Sequence, residues 1–488
     1  MYFHRSRRFP LPLGRKVHFI PALLVVMLWA TLGAATPAIL SDRIDRIVDN
    51  TDTAIWSIYV KDLQTGRVLY SKNANLPVMP ASNEKLFTTA TALEALGADF
   101  RYRTRLLFDG KVDGSVLKGD LIIVGSGDPT IGSVETRGVD PLRAWAQALK
   151  EIGVTAIEGR IIGDDNVFDD RRYGEGWDID YLTNQASREL GISASGLSYR
   201  DNVVEVGFKS AGVGDPPKIT SRPGGYLKII NQATTASRRR GWALDVERDF
   251  SNDVLTVTGS LPRSYQGALN VPVANPTMLA VYSFAQYLQR NDIETRARLF
   301  DIDDLEEIPD ESGASLLFVH FSPPLSEIVA TLNKESNNFY AEQVFRTMAY
   351  GGSAAGGERR IKDLLSRAGV NDPSISIKDG SGLSRKDLIT TQAMVGLLSY
   401  MATNRAFVQS LAEGGEAHST LRGRLGGLPV HAKTGSLESV RSLSGYATTA
   451  DGHRVAFSII SNHYTAPSYQ VTQTIDQIIR AVTSANPA

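Results

Sequence analysis

The sequence predicts an α/β (α+β) protein in which an antiparallel sheet flanked by helices is interrupted by a large β-rich insertion. Apolar residues recur at helical spacing over residues 82–96 and again in several segments after Met278. Between about residues 101 and 273 the chain instead shows short strand patterns, many glycines and turns. A strand hairpin with its turn at Asp451-Gly452 comes shortly before a last predicted helix.

These patterns also predict the domain organisation. The chain has 488 residues, which corresponds to about two or three domains of ordinary size. Residues 40–100 and 275–488 are expected to join as one domain that contains the terminal hairpin and the first strands. Residues 101–274 are expected to stand outside it as an inserted region, built as two small β-rich subdomains.

Composition excludes several kinds of function. Apolar residues make up 42% of the chain and charged residues 22%, as in ordinary globular proteins. The 52 Lys and Arg residues nearly balance the 53 Asp and Glu residues, which disfavours nucleic acid as a partner. There is no cysteine, so disulfides, thiolate metal sites and a cysteine nucleophile are excluded. The histidines form no spaced ligand cluster, and we predict no metal and no cofactor.

The N-terminal 37 residues have the layout of a secretory signal. A cationic start is followed by residues 17–35, which are apolar apart from His18 and Thr31, and by the small residues Gly33, Ala34 and Ala35. The alternative is an uncleaved membrane anchor, since a run of this length can just span a bilayer. Either way we expect an exported protein of the periplasm or cell envelope, with membrane contact only through this segment if it is uncleaved.

The first chemical motif is Ser82-Asn83-Glu84-Lys85, at the start of a predicted helix. A spacing of three places the hydroxyl and the amine on one helical face, within reach of each other. The positive end of the helix dipole favours negative charge developing at Ser82. Alone, the pattern is more typical of a helix cap followed by a solvated lysine.

Two further motifs change that interpretation. Ser336-Asn337-Asn338 opens another predicted helix, and Lys433-Thr434-Gly435-Ser436 follows a predicted strand. Ser-x-x-Lys, Ser-x-Asn and Lys-Thr-Gly in this order form the motif set of penicillin-binding proteins and serine β-lactamases. The joint match, with each motif in the expected structural setting, is far more specific than any one of the three.

The sequence around the motifs resembles one family more closely. The stretches 322–325, 333–338, 379–385 and 432–437 are similar to those of D-alanyl-D-alanine carboxypeptidases of the penicillin-binding protein 4 type. These are the class C penicillin-binding proteins of low molecular mass, serine peptidase family S13. The resemblance covers residues 40–488 and implies a β-lactamase/transpeptidase-like domain, with a large insertion between the first two motifs.

The resemblance implies a serine peptidase that forms an acyl-enzyme. Its substrates would be peptidoglycan peptides ending in D-Ala-D-Ala, and β-lactam antibiotics would be covalent inhibitors. The residues that it makes catalytic are Ser82 (nucleophile), Lys85 (base), Ser336 (proton transfer), Asn338 (substrate amide) and Lys433 (positive potential). The residues that it makes substrate-binding are Thr434, Gly435, Ser436, Arg385 and Asp180.

Two of these positions concern the substrate's side chain. Arg385 matches a family position that grips the carboxylate of a diamino acid in the peptide, with a surface ion pair as the alternative. Gly176-Trp177-Asp178-Ile179-Asp180 is similar to a segment that supplies an acid for the ammonium of that side chain. Either Asp178 or Asp180 could do so, although a turn with solvated carboxylates is the more typical interpretation of this segment. Glu438 departs from the amide expected there, which leaves the side-chain preference open.

Three functions therefore remain. The first is a D-Ala-D-Ala carboxypeptidase, with DD-endopeptidase activity on cross-bridge peptides as a variant of it. The second is a β-lactamase or esterase on the same scaffold, which the long insertion argues against. The third is a catalytically silent wall-binding protein, which the intact motif residues argue against.

Overall fold

The structure is a computed structural model that describes residues 37–50, 54–133, 140–178, 193–237, 243–249 and 252–486. The predicted signal or anchor at residues 1–37 lies outside these residues except for Pro37. Within the described ranges, no helix combines the length and the apolar character needed to cross a bilayer.

The helices of the described residues alternate with strands along the chain. In order they are α1 (Pro37–Asp49), α2 (Lys85–Leu96), α3 (Leu142–Glu151), α4 (Pro276–Arg290), α5 (Leu325–Glu335), α6 (Asn338–Met348), α7 (Ala354–Arg367), α8 (Thr391–Met401), α9 (Arg405–Ser410) and α10 (Ser468–Thr483).

The strands in the described part of the chain fall into four sheets. In order they are β1 (Ile55–Asp62), β2 (Val68–Lys72), β3 (Arg103–Asp113), β4 (Val116–Val124), β5 (Ala156–Asp164), β6 (Val203–Lys209), β7 (Lys218–Arg222), β8 (Lys228–Asn231), β9 (Thr234–Ala236), β10 (Ala243–Asp249), β11 (Val254–Pro262), β12 (Gln266–Pro272), β13 (Glu294–Thr295), β14 (Arg298–Asp301), β15 (Ser315–Phe321), β16 (Ala412–Glu413), β17 (Val430–Leu437), β18 (Val440–Thr448) and β19 (Arg454–Asn462).

One antiparallel sheet joins the two ends of the chain. Its strand order is β16-β17-β18-β19-β1-β2. The C-terminal strand β19 pairs along the whole of β1, from Ile55 opposite Asn462 to Asp62 opposite Val455. This pairing confirms the predicted fold class, in which the first strands and the terminal hairpin share a sheet.

Helices cover both faces of this sheet. On one face α2, α5, α6 and α8 contribute to an apolar cluster that includes Phe87, Phe345 and, from β19, Ile460. On the other face α1 and α10 pack against the sheet through residues such as Ile44 and Ile478. Each large apolar side chain that is fully buried stabilises the fold by about 1.5–3 kcal/mol relative to exposure. The sheet is therefore held between two helical layers, and α2 is fixed within the core.

The other three sheets of the described residues are built from strands β3 to β15. One has the order β13-β5-β4-β3-β15 with β14 beside β5, a second is β12-β6-β7, and the third joins β10, β11, β8 and β9. Helices α3 and α4 pack on the first of these through Trp145 and Phe284, whose ring centroids lie 5.3 Å apart. Strands β13 to β15 follow residue 275, so this sheet pairs strands from both sides of the predicted boundary.

Candidate active site

Ser82 lies on a single 3-10 turn, Ala81–Glu84, that leads into α2. The predicted helix over residues 82–96 is thus an α-helix only from Lys85 onward. Ser82 is half-buried, whereas Lys85 is fully buried. The Lys85 Nζ atom lies within hydrogen-bond distance of Ser82 Oγ, at 2.9 Å. The spacing of three therefore brings the hydroxyl and the amine into contact, as predicted.

The second motif occupies the junction of two helices. Helix α5 ends at Glu335, and Ser336 follows in the left-handed region with φ of 63°. The Asn337 side chain then caps α6 by accepting a hydrogen bond from the Tyr340 backbone N–H at 2.9 Å. This junction places Asn338 at the first residue of α6, where its Oδ1 accepts a bond of 2.5 Å from Lys85 Nζ.

The third motif lies within β17 rather than after a strand. Lys433 is fully buried, and its Nζ donates bonds of 2.8 Å both to Ser336 Oγ and to the carbonyl of Thr434. The Asn83 side chain donates a bond of 2.9 Å to the Lys433 carbonyl. Through these bonds β17 connects the second motif to the turn that carries Ser82.

Gly435 is the point of closest approach between β17 and Ser82. A Cβ atom on this residue would lie 2.2 Å from Ser442 Oγ, 2.9 Å from the Pro80 carbonyl and 3.0 Å from the Ser82 backbone nitrogen. Only glycine lets the strand lie this near the turn. Thr434 is buried, while Ser436 is exposed at the strand edge. The three motifs thus form one site.

Arg385 lies at the border of the inserted region. Its Nη2 atom is 3.5 Å from Asp178 Oδ2 and 3.5 Å from Glu438 Oε2. Asp178 is half-buried, and Glu438 is exposed just beyond β17. Of the two candidate acids, Asp178 is the one that the structure places beside Arg385. Asp180 falls outside the described residues.

Sequence reasoning missed the loop of residues 379–384. The backbone carbonyl of Ser381 accepts a bond of 2.6 Å from Lys85 Nζ. The loop is organised by Asp379, whose carboxylate accepts bonds from the backbone N–H groups of Gly382 at 2.6 Å and Ser384 at 2.7 Å. The Asp-Gly-Ser-Gly stretch supported the family resemblance, but a carbonyl contact leaves no signal in residue type.

Buried acids around Asp379 are a second feature that sequence reasoning missed. Burial, with the nearby negative Asp379 as the next cause, raises the pKa of the carboxyls of Glu84, Glu342 and Asp387. For Glu84 the nearby Lys85 opposes this shift without cancelling it. Neither carboxyl oxygen of Glu84 has a hydrogen-bond partner within the described ranges. A buried acid without donors is stable only when it is protonated.

One set of carboxylates has the spacing of a metal site. The oxygens of Asp165, Asp301 and Asp303 lie within 4.8 Å of one another. They are held by protein groups, since Thr277 Oγ1 donates to Asp165 and Asn275 Nδ2 donates to Asp301. No residue of the three motifs belongs to this set.

The profile of the D-Ala-D-Ala carboxypeptidase 3 (S13) family matches residues 40–482. A D-alanyl-D-alanine carboxypeptidase from Actinomadura sp. (strain R39) is 31% identical over 477 residues, which cover 91% of this chain and 86% of that protein. The carboxypeptidase DacB of Haemophilus influenzae (strain ATCC 51907 / DSM 11121 / KW20 / Rd) is 28% identical over 423 residues, which cover 83% of this chain and 84% of DacB.

Solved structures show the same architecture. Penicillin binding protein 4 (dacB) from Haemophilus influenzae superposes with a TM-score of 0.75 at 25% identity, covering 90% of this chain and 97% of that one. The same protein has been solved in complex with a β-lactam. Bd3459, a predatory peptidoglycan endopeptidase from Bdellovibrio bacteriovorus, shares the fold with a TM-score of 0.51 at 16% identity, covering 89% of this chain and 95% of that one.

Proposed function

The chain belongs to the D-Ala-D-Ala carboxypeptidase 3 (S13) family and is a serine-type D-Ala-D-Ala carboxypeptidase, and we propose that Ser82 is its nucleophile. One observation carries this proposal. Lys85 Nζ is within hydrogen-bond distance of both Ser82 Oγ (2.9 Å) and Asn338 Oδ1 (2.5 Å). A nucleophile in contact with a base, which is itself oriented by a further group, is the arrangement that covalent catalysis requires.

Acylation begins with proton transfer. Lys85 accepts the Ser82 proton as the Ser82 oxygen attacks the carbonyl between the two terminal D-alanines of the peptide. This needs a neutral amine, whose lone pair accepts the Ser82 proton while its two N–H groups donate to Asn338 Oδ1 and to the Ser381 carbonyl. The backbone N–H groups of Ser82 and Ser436 stabilise the oxyanion of the tetrahedral intermediate.

Collapse of the intermediate breaks the C–N bond. The proton held by Lys85 passes through the Ser336 hydroxyl to the nitrogen of the departing D-alanine. The terminal D-alanine therefore leaves with a neutral amine, and the acyl group stays on Ser82. Lys433, which donates to Ser336 at 2.8 Å, orients this hydroxyl and supplies positive potential. Water then hydrolyses the ester and restores the free Ser82 hydroxyl.

The substrate is held along β17. The exposed edge at Ser436 can accept the peptide as an added strand, while the hydroxyls of Thr434 and Ser436 suit its terminal carboxylate. Asn338 binds a substrate amide through the part of its side chain that is not used by Lys85. β-Lactams acylate Ser82 through the same contacts.

The biological setting follows from this chemistry. We propose that the substrates are peptidoglycan stem peptides ending in D-Ala-D-Ala, together with cross-bridge peptides if the enzyme is also a DD-endopeptidase. The signal-like N-terminus supports export to the periplasm or cell envelope. In addition to Arg385, we propose Asp178 and Asp180 as the candidates for contact with the side chain of the diamino acid.

Incubation with defined muropeptides, followed by mass spectrometry of the products, tests this proposal. Loss of one alanine residue is expected for carboxypeptidase activity, and cleavage of cross-linked dimers for endopeptidase activity. The Ser82→Ala variant should give neither product. Hydrolysis by that variant at the wild-type rate would contradict Ser82 as nucleophile, and rapid turnover of penicillin without a stable adduct would favour a β-lactamase instead.

A further inference from the structure

A short segment of the inserted region lies against the active-site loop. Ser384 Oγ donates a bond of 2.6 Å to the Glu175 carbonyl, and the Arg385 backbone N–H donates one of 3.2 Å to the Gly176 carbonyl. Lys386 Nζ also lies 2.6 Å from the Glu175 carboxylate. A Cβ on Gly176 would be 2.9 Å from Ser384 Oγ, so this glycine lies against the Ser384 side chain. The inserted region is therefore joined directly to the catalytic centre.

Trp177 makes the most buried of these contacts. Its indole Nε1–H donates a bond of 2.6 Å to Asp379 Oδ2. Asp379 is 1% exposed, and its carboxylate also accepts from the backbone N–H groups of Ser381, Gly382 and Ser384. A buried carboxylate depends on such donors, because it has lost its solvating water. Trp177 supplies one of the bonds to this carboxylate, and it contributes that bond from the inserted region.

The loop that Asp379 organises touches the catalytic base. Lys85 Nζ donates a bond of 2.6 Å to the Ser381 carbonyl, and Thr88 Oγ1 donates one of 2.9 Å to the Gly380 carbonyl. A Cβ on Gly382 would lie 1.9 Å from the Ala81 carbonyl, so the loop also rests on the turn that carries the nucleophile. A shift of the loop would thus move an acceptor of the Lys85 amine.

We propose that Trp177 is a positioning residue for Lys85. Through Asp379 it fixes the 379–384 loop, and with the loop it fixes the Ser381 carbonyl that orients the Lys85 amine. The inference rests on the proposed role of Lys85 as the base. It gives the inserted region a part in catalysis itself, in addition to any contact with the peptide side chain.

The chain offers a matched control for this contact. Trp145 on α3 also belongs to the inserted region and is 1% exposed, but its indole Nε1 has no hydrogen-bond partner within the described ranges. Trp177→Phe and Trp145→Phe both remove one indole N–H and keep an aromatic ring. Only the first removes a donor from Asp379.

The experiment measures acylation by benzylpenicillin, resolved into the non-covalent binding constant and the acylation rate constant. Trp177→Phe is expected to lower the rate constant about tenfold or more, since small misplacement of catalytic groups is costly. The binding constant should be unchanged, and Trp145→Phe should acylate within about twofold of the wild type. Trp177→His, which retains a ring N–H, should recover part of the lost rate if the donor is what matters.

Several results would overturn the inference. One is a wild-type acylation rate in Trp177→Phe, and another is an equal loss in Trp145→Phe. A third is a Trp177→Phe variant with a higher KM for peptides and an unchanged rate of benzylpenicillin acylation. That result would mean that Trp177 lines the substrate pocket instead. A variant Trp177→His no faster than Trp177→Phe would also contradict it. Failure of the wild-type protein to acylate would instead refute the proposed function, and this inference with it.

Discussion

Lys433 donates a hydrogen bond of 2.8 Å to the hydroxyl of Ser336, which lies 97 positions earlier in the chain. Ser336 itself adopts a left-handed backbone conformation between two helices, with φ of 63°. The bond therefore joins a strand of the central sheet to a helix junction across the cleft. In the proposed mechanism, this is the contact through which Lys433 orients the hydroxyl that passes the proton to the leaving amine.

Ser336→Ala should slow acylation because it removes the hydroxyl that carries the proton to the leaving amine. We expect a fall of about 100-fold or more in the acylation rate, the usual contribution of a positioned acid–base group. Ser366→Ala, at an exposed position of α7, is the control and should react normally. A Ser336→Ala enzyme within a few-fold of the wild type would refute this role.

Gly435→Ala should abolish most acylation, because the added methyl group would collide with Ser442 Oγ at 2.2 Å and with the Ser82 nitrogen at 3.0 Å. The strand must then move away from the nucleophile. Gly426→Ala is the matched control, since the nearest atom to its Cβ is 3.9 Å away and the position is exposed. Rates of benzylpenicillin acylation and melting temperatures of the two variants make the comparison. Equal behaviour of both would contradict the close approach.

The part of the site that could be predicted is the part encoded by residue type at short range. Ser82 and Lys85 are in contact because residues three positions apart on a helical turn lie on the same side. The other two motifs can likewise be recognised from their residue types alone. The sequence could not show that Lys85 Nζ reaches Asn338 across 253 positions. That contact depends on the packing of α2 against α6. Only the family resemblance indicated that the two residues belong to one site.

What could not be predicted depends on backbone atoms and on burial. Every residue type has a backbone carbonyl, so the contact made by the Ser381 carbonyl leaves no pattern in the sequence. Glu84 likewise has the sequence pattern of an ordinary polar residue at the start of a helix. The return of helical patterns predicts that the inserted region ends near residue 274. In the structure, however, β15 pairs with β3 as far as Phe321 opposite Arg103. We propose that the inserted region continues to Phe321.

Glu84→Gln should change how stability depends on pH. Because burial raises the pKa of Glu84 well above 4.5, the folded state keeps a proton that the unfolded state releases. The stabilising effect of the protonated form is complete below the unfolded pKa and is lost as pH rises towards the folded pKa. Glutamine avoids this loss, so the variant should become progressively more stable relative to the wild type as pH rises above the ordinary carboxyl pKa.

Urea unfolding at a series of pH values measures this difference. Glu94→Gln, an exposed position on the same helix α2, is the control and should follow the wild type throughout. A Glu84→Gln variant that loses stability relative to the wild type as pH rises would mean that Glu84 is ionised in the folded protein.

Glu438→Gln should alter the choice of substrate side chain. Glu438 lies 3.5 Å from Arg385 and competes with any carboxylate of the substrate for that guanidinium. Its removal should raise kcat/KM for peptides whose diamino acid carries a carboxylate, relative to peptides that lack one. The pair is exposed, so a change of roughly two- to fivefold is expected. An unchanged ratio of the two kcat/KM values would show that Arg385 does not bind the carboxylate of the diamino acid.

The central claim is that Ser82, activated by Lys85, is the residue that becomes acylated. Incubation of the wild-type protein with benzylpenicillin, followed by peptide mapping in a mass spectrometer, tests it directly. The account predicts a single penicilloyl adduct on the peptide containing Ser82, absent from Ser82→Ala and strongly slowed in Lys85→Ala. An adduct on any other residue, or equal labelling of Ser82→Ala, would contradict it.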